Sequence, residues 1–458
     1  MPINDSIHVL MSTVQTYMEE LGVELDCKDL ESIVFLLYYS LKPYGRYFHS
    51  IDHALDLTIQ NNPEISLAAL FHDLIYYQID RGFNNLVEPI VRQVVREEKR
   101  EAGQVGKVFL LNDFEKSDLE LHINLNIFGL HSGQELSPYA GLNEFLSSLV
   151  MTRTLSPYLS IKQITQMIVF IEGTIPFRGK GVDQRDYFYQ LSEKLQETNR
   201  LFDLGFTPQE ISQTIREAVA LSNRDVMNFS EEDTRDFLDN TWDLIPETNV
   251  SLRSNELYTI KDYRIAIEKM DNFFTYLDPL NIFHQYENVP STKELEEINQ
   301  RAAHNLSISR IYLKVKYITA VILEAFAEES GGDCPICYFM GELPREDEKI
   351  KRLETYLPKV CGTLIDDRNP LVWQLLDQGR NRESSFDIKH APLSLFLYAE
   401  CNDNELSELY HFAKQMTNQH VSPELLINSL PSRIRVTIAR SLSEMAPSRK
   451  AILSHYLS

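Results

Sequence analysis

Two histidines four positions apart, His49 and His53, precede an adjacent histidine–aspartate pair, His72 and Asp73. On a helix, residues four apart share a face about one turn from each other. His72-Asp73 closes the apolar run Leu67-Ala68-Ala69-Leu70-Phe71, so the pair sits at the end of a segment built for burial. A buried carboxylate is costly unless it is paired or coordinates a cation. Imidazole and carboxylate together are the ligands that hard or borderline divalent ions take when oxygen chemistry follows. The pattern points to a metal centre supplied by two consecutive helices.

The run Tyr47-Phe48-His49-Ser50-Ile51-Asp52-His53-Ala54-Leu55-Asp56, followed by Leu70-Phe71-His72-Asp73, resembles the HD superfamily of metal-dependent phosphohydrolases. The likeness is to its cyclic-nucleotide phosphodiesterase-like and uncharacterised bacterial branches. Those branches show Y-H-N-x-x-H-A-x-D and then an apolar helix ending in F-H-D. Ser50 stands where the signature has Asn, and one extra aromatic precedes the first histidine. The resemblance implies an all-α fold and a divalent cation held by His53, His72, Asp73 and one distant Asp. It gives His49 the part of proton donor to the leaving oxygen, which suits an imidazole of near-neutral pKa.

In the phosphodiesterase branch the distant Asp opens a D-L-S-N run. Here that run reads Ala220-Leu221-Ser222-Asn223, so the expected substitute is Asp225. Glu172, at the end of the apolar run Ile161–Ile171, is a catalytic candidate and the reserve ligand. Arg46, three residues before His49, is expected to act as a bidentate phosphate clamp. Asn143 and Glu144, polar within an apolar helix, are expected to line the pocket, and Asn223 joins them as a substrate-binding candidate.

The activity implied is hydrolysis of a small phosphate ester or phosphodiester, a nucleotide above all. The cation lowers the pKa of water and offsets charge on the phosphoryl oxygens. Mn, Mg, Fe, Ni and Zn all accept such ligands. The alternative is a non-catalytic HD-fold scaffold or ligand sensor, favoured by Ala220 and by the large C-terminal half. An iron oxygenase would need further histidines, for which only His122 and His131 are available between Asp73 and Asp225.

Composition narrows the partners. A net charge of −23 argues against polymeric nucleic acid and anionic membranes, whose phosphates reward basic surfaces. Hydrophobic residues at 43% support real cores, while Gly at 17 and Pro at 19 suit long helices with few tight turns. The 5 cysteines are scattered, which fits a reducing compartment rather than a disulfide framework. Cys334-Pro335-Ile336-Cys337 has zinc or redox spacing, but with no second close pair it reads as ordinary loop cysteines. The opening MPINDSIHVLMSTVQTYMEE lacks a basic region followed by an apolar core, so a cytoplasmic protein is expected, with secretion as an effector left open. No run is long and apolar enough to suggest a membrane span. The expected partners are a small phosphate ester and, optionally, further copies of the chain.

Amphipathic helical spacing dominates throughout. Helices are expected over 6–20, 28–41, from His49 to the Asn61-Asn62-Pro63 break, from Pro63 through Tyr77, and over 85–106, 115–128, 139–152, 184–204 and 208–221. No alternating strand pattern stands out. The cluster Tyr286–Thr292 marks a boundary, giving an HD-type domain over 1–285 and a helical domain of open role over 286–458. One or two long helices are expected just beyond it.

Overall fold

The computed structural model describes residues 6–99, 107–113, 117–137, 141–180, 185–253, 257–344, 350–360 and 368–457. The described residues are overwhelmingly helical, as the spacing predicts. No helix among them is long and apolar enough to cross a membrane.

Two compact units divide the chain. The first comprises Met1–Met227 with Asp278–Gln300, the second Asn228–Leu277 with Arg301–Ser458. This differs from a single cut after residue 285. Segment 278–300 returns to the first unit because Asn223 grips the His284 backbone on both sides, at 2.9 and 2.8 Å, while Asp186 accepts from the Gln285 N–H at 3.2 Å. Such a return depends on partners far apart in sequence, so turn residues around Pro290 do not reveal it.

The first unit opens with α1 (Ser6–Glu20) and α2 (Cys27–Leu41), then α3 (Ile51–Asp56) and α4 (Pro63–Phe71). α4 is buried at every position from Ile65 to Phe71, the mark of a helix at the centre of a core. Asn62 caps its start, its side chain accepting from the Ile65 N–H, and Pro63 opens the first turn, where its missing donor costs nothing. A short helix, α5 (Tyr77–Asp80), and α6 (Glu88–Val94) follow. The helix expected from Pro63 through Tyr77 is thus interrupted at His72.

The helix expected over 85–106 ends at Val94. Val95–Lys99 (β1), Lys107–Leu111 (β2) and Glu135–Leu136 (β3) instead form an antiparallel sheet in the order β1-β2-β3. The charged β1 sequence, VREEK, hides its strand character. The pairing is anchored by Val95 opposite Leu111, both fully buried, and by Phe109, whose ring meets Tyr77 at 4.7 Å and Phe83 at 5.8 Å. Residues 100–106, between β1 and β2, lie outside the described residues.

The remaining helices of this unit are α7 (Leu119–Phe128), α8 (Leu142–Leu155), α9 (Ile161–Gly173), α10 (Tyr187–Phe202) and α11 (Pro208–Asp225). α9 packs against α4, α7, α8 and α11, so these elements converge behind the end of α4. Gly141 precedes α8 with φ 84°, a left-handed conformation that favours glycine; a Cβ there would lie 2.7 Å from Ile175 Cδ1. The loop after α9 therefore lies tight against the start of α8.

In the second unit, α12 (Thr234–Thr248) packs on α13 (Ile260–Tyr276), with the Phe237 and Phe274 rings stacked at 5.4 Å. α14 (Thr292–Gly331) is a single 40-residue helix whose residues up to Gln300 belong to the first unit and the rest to the second, buried at most positions from Tyr312 to Ala327. Buried ion pairs, Arg264–Glu324 at 2.6 Å and Lys316–Asp387 at 2.7 Å, tie α14 to its surroundings. A shorter helical array completes the unit, including Pro392–Glu400, Asp403–Thr417 and Ser432–Met445. Cys334 and Cys337 are free thiols, as are Cys27 and Cys401; Cys361 lies outside the described residues.

Candidate metal centre

The end of α4 supplies His72 and Asp73. His72 occupies the helix C-cap, where its Nδ1 lies 2.7 Å from the Ala69 carbonyl. A carbonyl only accepts, so Nδ1 carries a proton, and Nε2 is the nitrogen left to face the carboxylates. That Nε2 is buried and has no hydrogen-bond partner. It nonetheless lies 2.9 Å from Asp73 Oδ2 and 3.4 Å from Asp225 Oδ1.

Asp225 arrives on the last residue of α11. The neighbouring Arg224 donates from Nη2 to the Asp56 carbonyl at 2.8 Å, fastening the end of α11 to the end of α3. His53, on α3, then places Nε2 3.0 Å from Asp225 Oδ1 and 3.9 Å from Asp73 Oδ2. One ligand atom from each of His53, His72, Asp73 and Asp225 lies within 4.8 Å of all the others. Ligands on one ion with bonds of roughly 2.0–2.2 Å lie at most about 4.4 Å apart, which the separations of 2.9–3.9 Å above satisfy.

The charges are strongly interdependent. Burial alone would lower the His72 pKa, but Asp73 and Asp225 more than reverse it and hold it well above the ordinary histidine value. Burial would raise both carboxyls; the imidazoles, His72 foremost, instead hold Asp73 far down and Asp225 at about 2. Two ionised carboxylates crowded together call for a shared positive charge, which His72 carries as an imidazolium and a bound cation would supply in its place. Side-chain exposures of 14–15% for His53, Asp73 and Asp225 leave one side of the cluster open.

Ala220 is exposed on the same helix that carries Asp225. A residue five positions from Asp225 points away from it on a helix, so the departure at 220 leaves the cluster untouched.

His49 does not share a helix with His53. Ser50 caps α3, its side chain facing the His53 N–H, so the helix starts at Ile51 and His49 lies just before it. The His49 ring still comes within 6.1 Å of the His53 ring, centroid to centroid, and makes an edge contact with Tyr76 at 4.6 Å. It is near enough to lower the Asp73 pKa further.

Three expected roles need correction. Arg46 is no phosphate clamp: its side chain is 0% exposed, and it donates to Asp80 at 2.9 and 2.6 Å and to the Asp73 carbonyl at 2.6 Å. It braces the turn behind the four-residue cluster. Asn143 is equally committed, accepting from the Tyr77 N–H at 3.1 Å and donating to Gln78 at 3.0 Å. Asn223 is spent on His284, as described above. Neither amide has its polar groups turned to a ligand.

Glu172 is fully buried and lies outside the four-residue cluster. Its Oε1 accepts from Arg178 at 2.7 Å, from Lys194 at 3.3 Å and from the Tyr187 hydroxyl. Burial would raise its pKa, but Arg178 and Lys194 hold it below the ordinary value. Glu144, half-buried in the first turn of α8, has its pKa pushed up to about 7, chiefly by burial and further by the Asp73 charge. Arg178 opposes that rise, so Glu144 lies within reach of both the cluster and Arg178. Sequence reasoning misses Arg178 because nothing in Phe177-Arg178-Gly179 carries a motif.

His131 is exposed, with Nδ1 3.1 Å from the Ser132 carbonyl, and His122 acts on Asp118. Neither joins the cluster among the described residues. No protein-family model, curated protein or solved structure matches the chain.

Proposed function

We propose that the chain is a metal-dependent phosphohydrolase of HD type acting on a small phosphate ester, with nucleotides the leading class. The observation that carries this reading is the convergence of one ligand atom each from His53, His72, Asp73 and Asp225 within 4.8 Å, with the buried His72 Nε2 2.9 and 3.4 Å from two carboxylates and beside a second imidazole. His53, His72, Asp73 and Asp225 would hold a divalent cation, and their mixed nitrogen and oxygen donors suit Mn, Fe, Ni, Zn or Mg. Such a cation supplies positive charge that activates water and offsets charge on a phosphoryl group.

The chain's own groups divide the rest of the work. Arg46 fixes the backbone of Asp73 and so orients the carboxylate. His49, resting against Tyr76, donates an imidazole proton to the leaving-group oxygen. Among the described residues Glu144 makes no ion pair, and it offers its carboxyl as a hydrogen-bond partner to substrate. The charge of −23 sets the scale of the substrate: a long polyanion is repelled, while a single small ester is not.

The rival reading, a non-catalytic scaffold or sensor, rests on Ala220 and on the large C-terminal half; the first argument weakens because Asp225 lies among His53, His72 and Asp73. Phosphate release from a panel of nucleotides, run with each of several divalent ions, tests the proposal. Metal-dependent turnover abolished by His49→Ala and Asp73→Ala supports it; a chain that turns over no member of the panel with any ion contradicts it.

A further inference from the structure

Beside the cluster stands a second built arrangement that no sequence motif marks. Arg178 lies in the loop after α9, directly following Phe177, which adopts φ 59°. A left-handed conformation is costly for a bulky residue and persists only where surrounding packing enforces it. Ile175, two residues earlier, is wedged against Gly141 at the start of α8. The same first turn of α8 carries Glu144 and Asn143, and Asn143 holds the Tyr77 backbone close behind Asp73. The loop is thus tied to the wall of the metal cluster.

The guanidinium is held from two sides. Nη1 donates to the fully buried Glu172 at 2.7 Å, and the group lies over the Tyr187 ring at 4.0 Å. Lys194 sits over the same ring at 5.3 Å and also reaches Glu172. Yet Arg178 is 22% exposed, and its Nε and Nη2 have no hydrogen-bond partner among the described residues. Arg46 has the opposite character, with its donors spent in a closed pocket. Nε and Nη2 together form the planar fork that matches two oxygens of one phosphoryl group.

We propose that Arg178 is the anion-binding residue of this site, with Nη1 anchored on Glu172 and the Nε/Nη2 fork offered to two non-bridging oxygens of a substrate phosphoryl group. Glu172 and Tyr187 are then positioning residues, fixing the plane of the guanidinium before substrate arrives. The inference deepens the phosphohydrolase reading and rests on it for the identity of the ligand.

Calorimetric titration of the full chain with inorganic phosphate tests it, with manganese present and after chelation, and with metal content read on the same samples. Wild type is expected to bind phosphate. Arg178→Met should weaken binding about 10- to 100-fold, the scale of hydrogen bonds to a charged group. Arg178→Lys keeps the charge beside Glu172 but loses the fork, and should weaken it about tenfold. It decides the matter if the methionine variant fails to fold. Metal content should be unchanged in both. Phosphate binding equal to wild type in the folded variants overturns the assignment and leaves the metal centre standing. A protein that holds no metal yet binds phosphate through Arg178 overturns the metal reading and keeps this one. Wild type that binds no phosphate in either state also overturns the assignment.

Discussion

His53 Nε2 lies 3.0 Å from Asp225 Oδ1, across 172 positions of sequence. Neither helix could deliver its ligand alone: α3 is six residues long, and Asp225 is the last residue of α11. The hydrogen bond from Arg224 to the Asp56 carbonyl brings the two helix ends together.

On that geometry the proposed ligand stands at position 225, not 220. Manganese should raise the melting temperature of wild type, since a site filled at a hundredfold excess over its Kd adds about 2.7 kcal/mol. Asp225→Ala should abolish the rise, and adding Ala220→Asp should not restore it. Thermal scans with and without manganese check both outcomes; rescue by Ala220→Asp would refute the register.

Arg46 should act through stability rather than substrate affinity. Its guanidinium is fully buried on Asp80 and on the carbonyls of Asp73 and Leu74. Removing one partner of a buried pair strands the other, at a cost of about 3–5 kcal/mol. Arg46→Ala should lose about that much unfolding free energy by denaturant titration. Phosphate affinity per folded molecule should change little, the reverse of what a clamp predicts.

Glu144 gives a pH dependence of definite sign in the metal-free protein. Its carboxyl ordinarily titrates near 4.5 and is pushed up to about 7 in the fold. Between those values the unfolded chain has released a proton that the folded chain keeps, so stability falls as pH rises through the window and levels off above it. Glu144→Gln removes this loss. Relative to wild type, the variant should gain about 1–3 kcal/mol between pH 4 and pH 8. A difference independent of pH, measured by denaturation in chelator, would show that Glu144 titrates normally.

Much of this arrangement is written locally. The uninterrupted apolar run before His72 marks a central helix, and a His-Asp pair at its end can only be a buried polar feature. Other parts depend on partners that no local pattern names. Arg46 meets Asp80, 34 residues away. Asn223 meets His284, 61 residues away, and thereby draws 278–300 into the first unit. Ser50 illustrates a subtler case: a good N-cap starts α3 one residue after His49, so helical spacing between the two histidines misleads. β1 escapes notice because its alternation is carried by charged residues, with Val95 and the β2 side chains providing the burial.

Four side chains from three separate segments are proposed to hold one divalent cation. Elemental analysis of the purified full chain, beside His72→Ala and Asp73→Ala variants of matched folding, tests it most directly. About one equivalent of divalent metal is expected in wild type, and its loss in both variants. Wild type free of metal after incubation with Mn, Fe, Ni, Zn and Mg, or variants that retain it, would rule out a cation at this cluster.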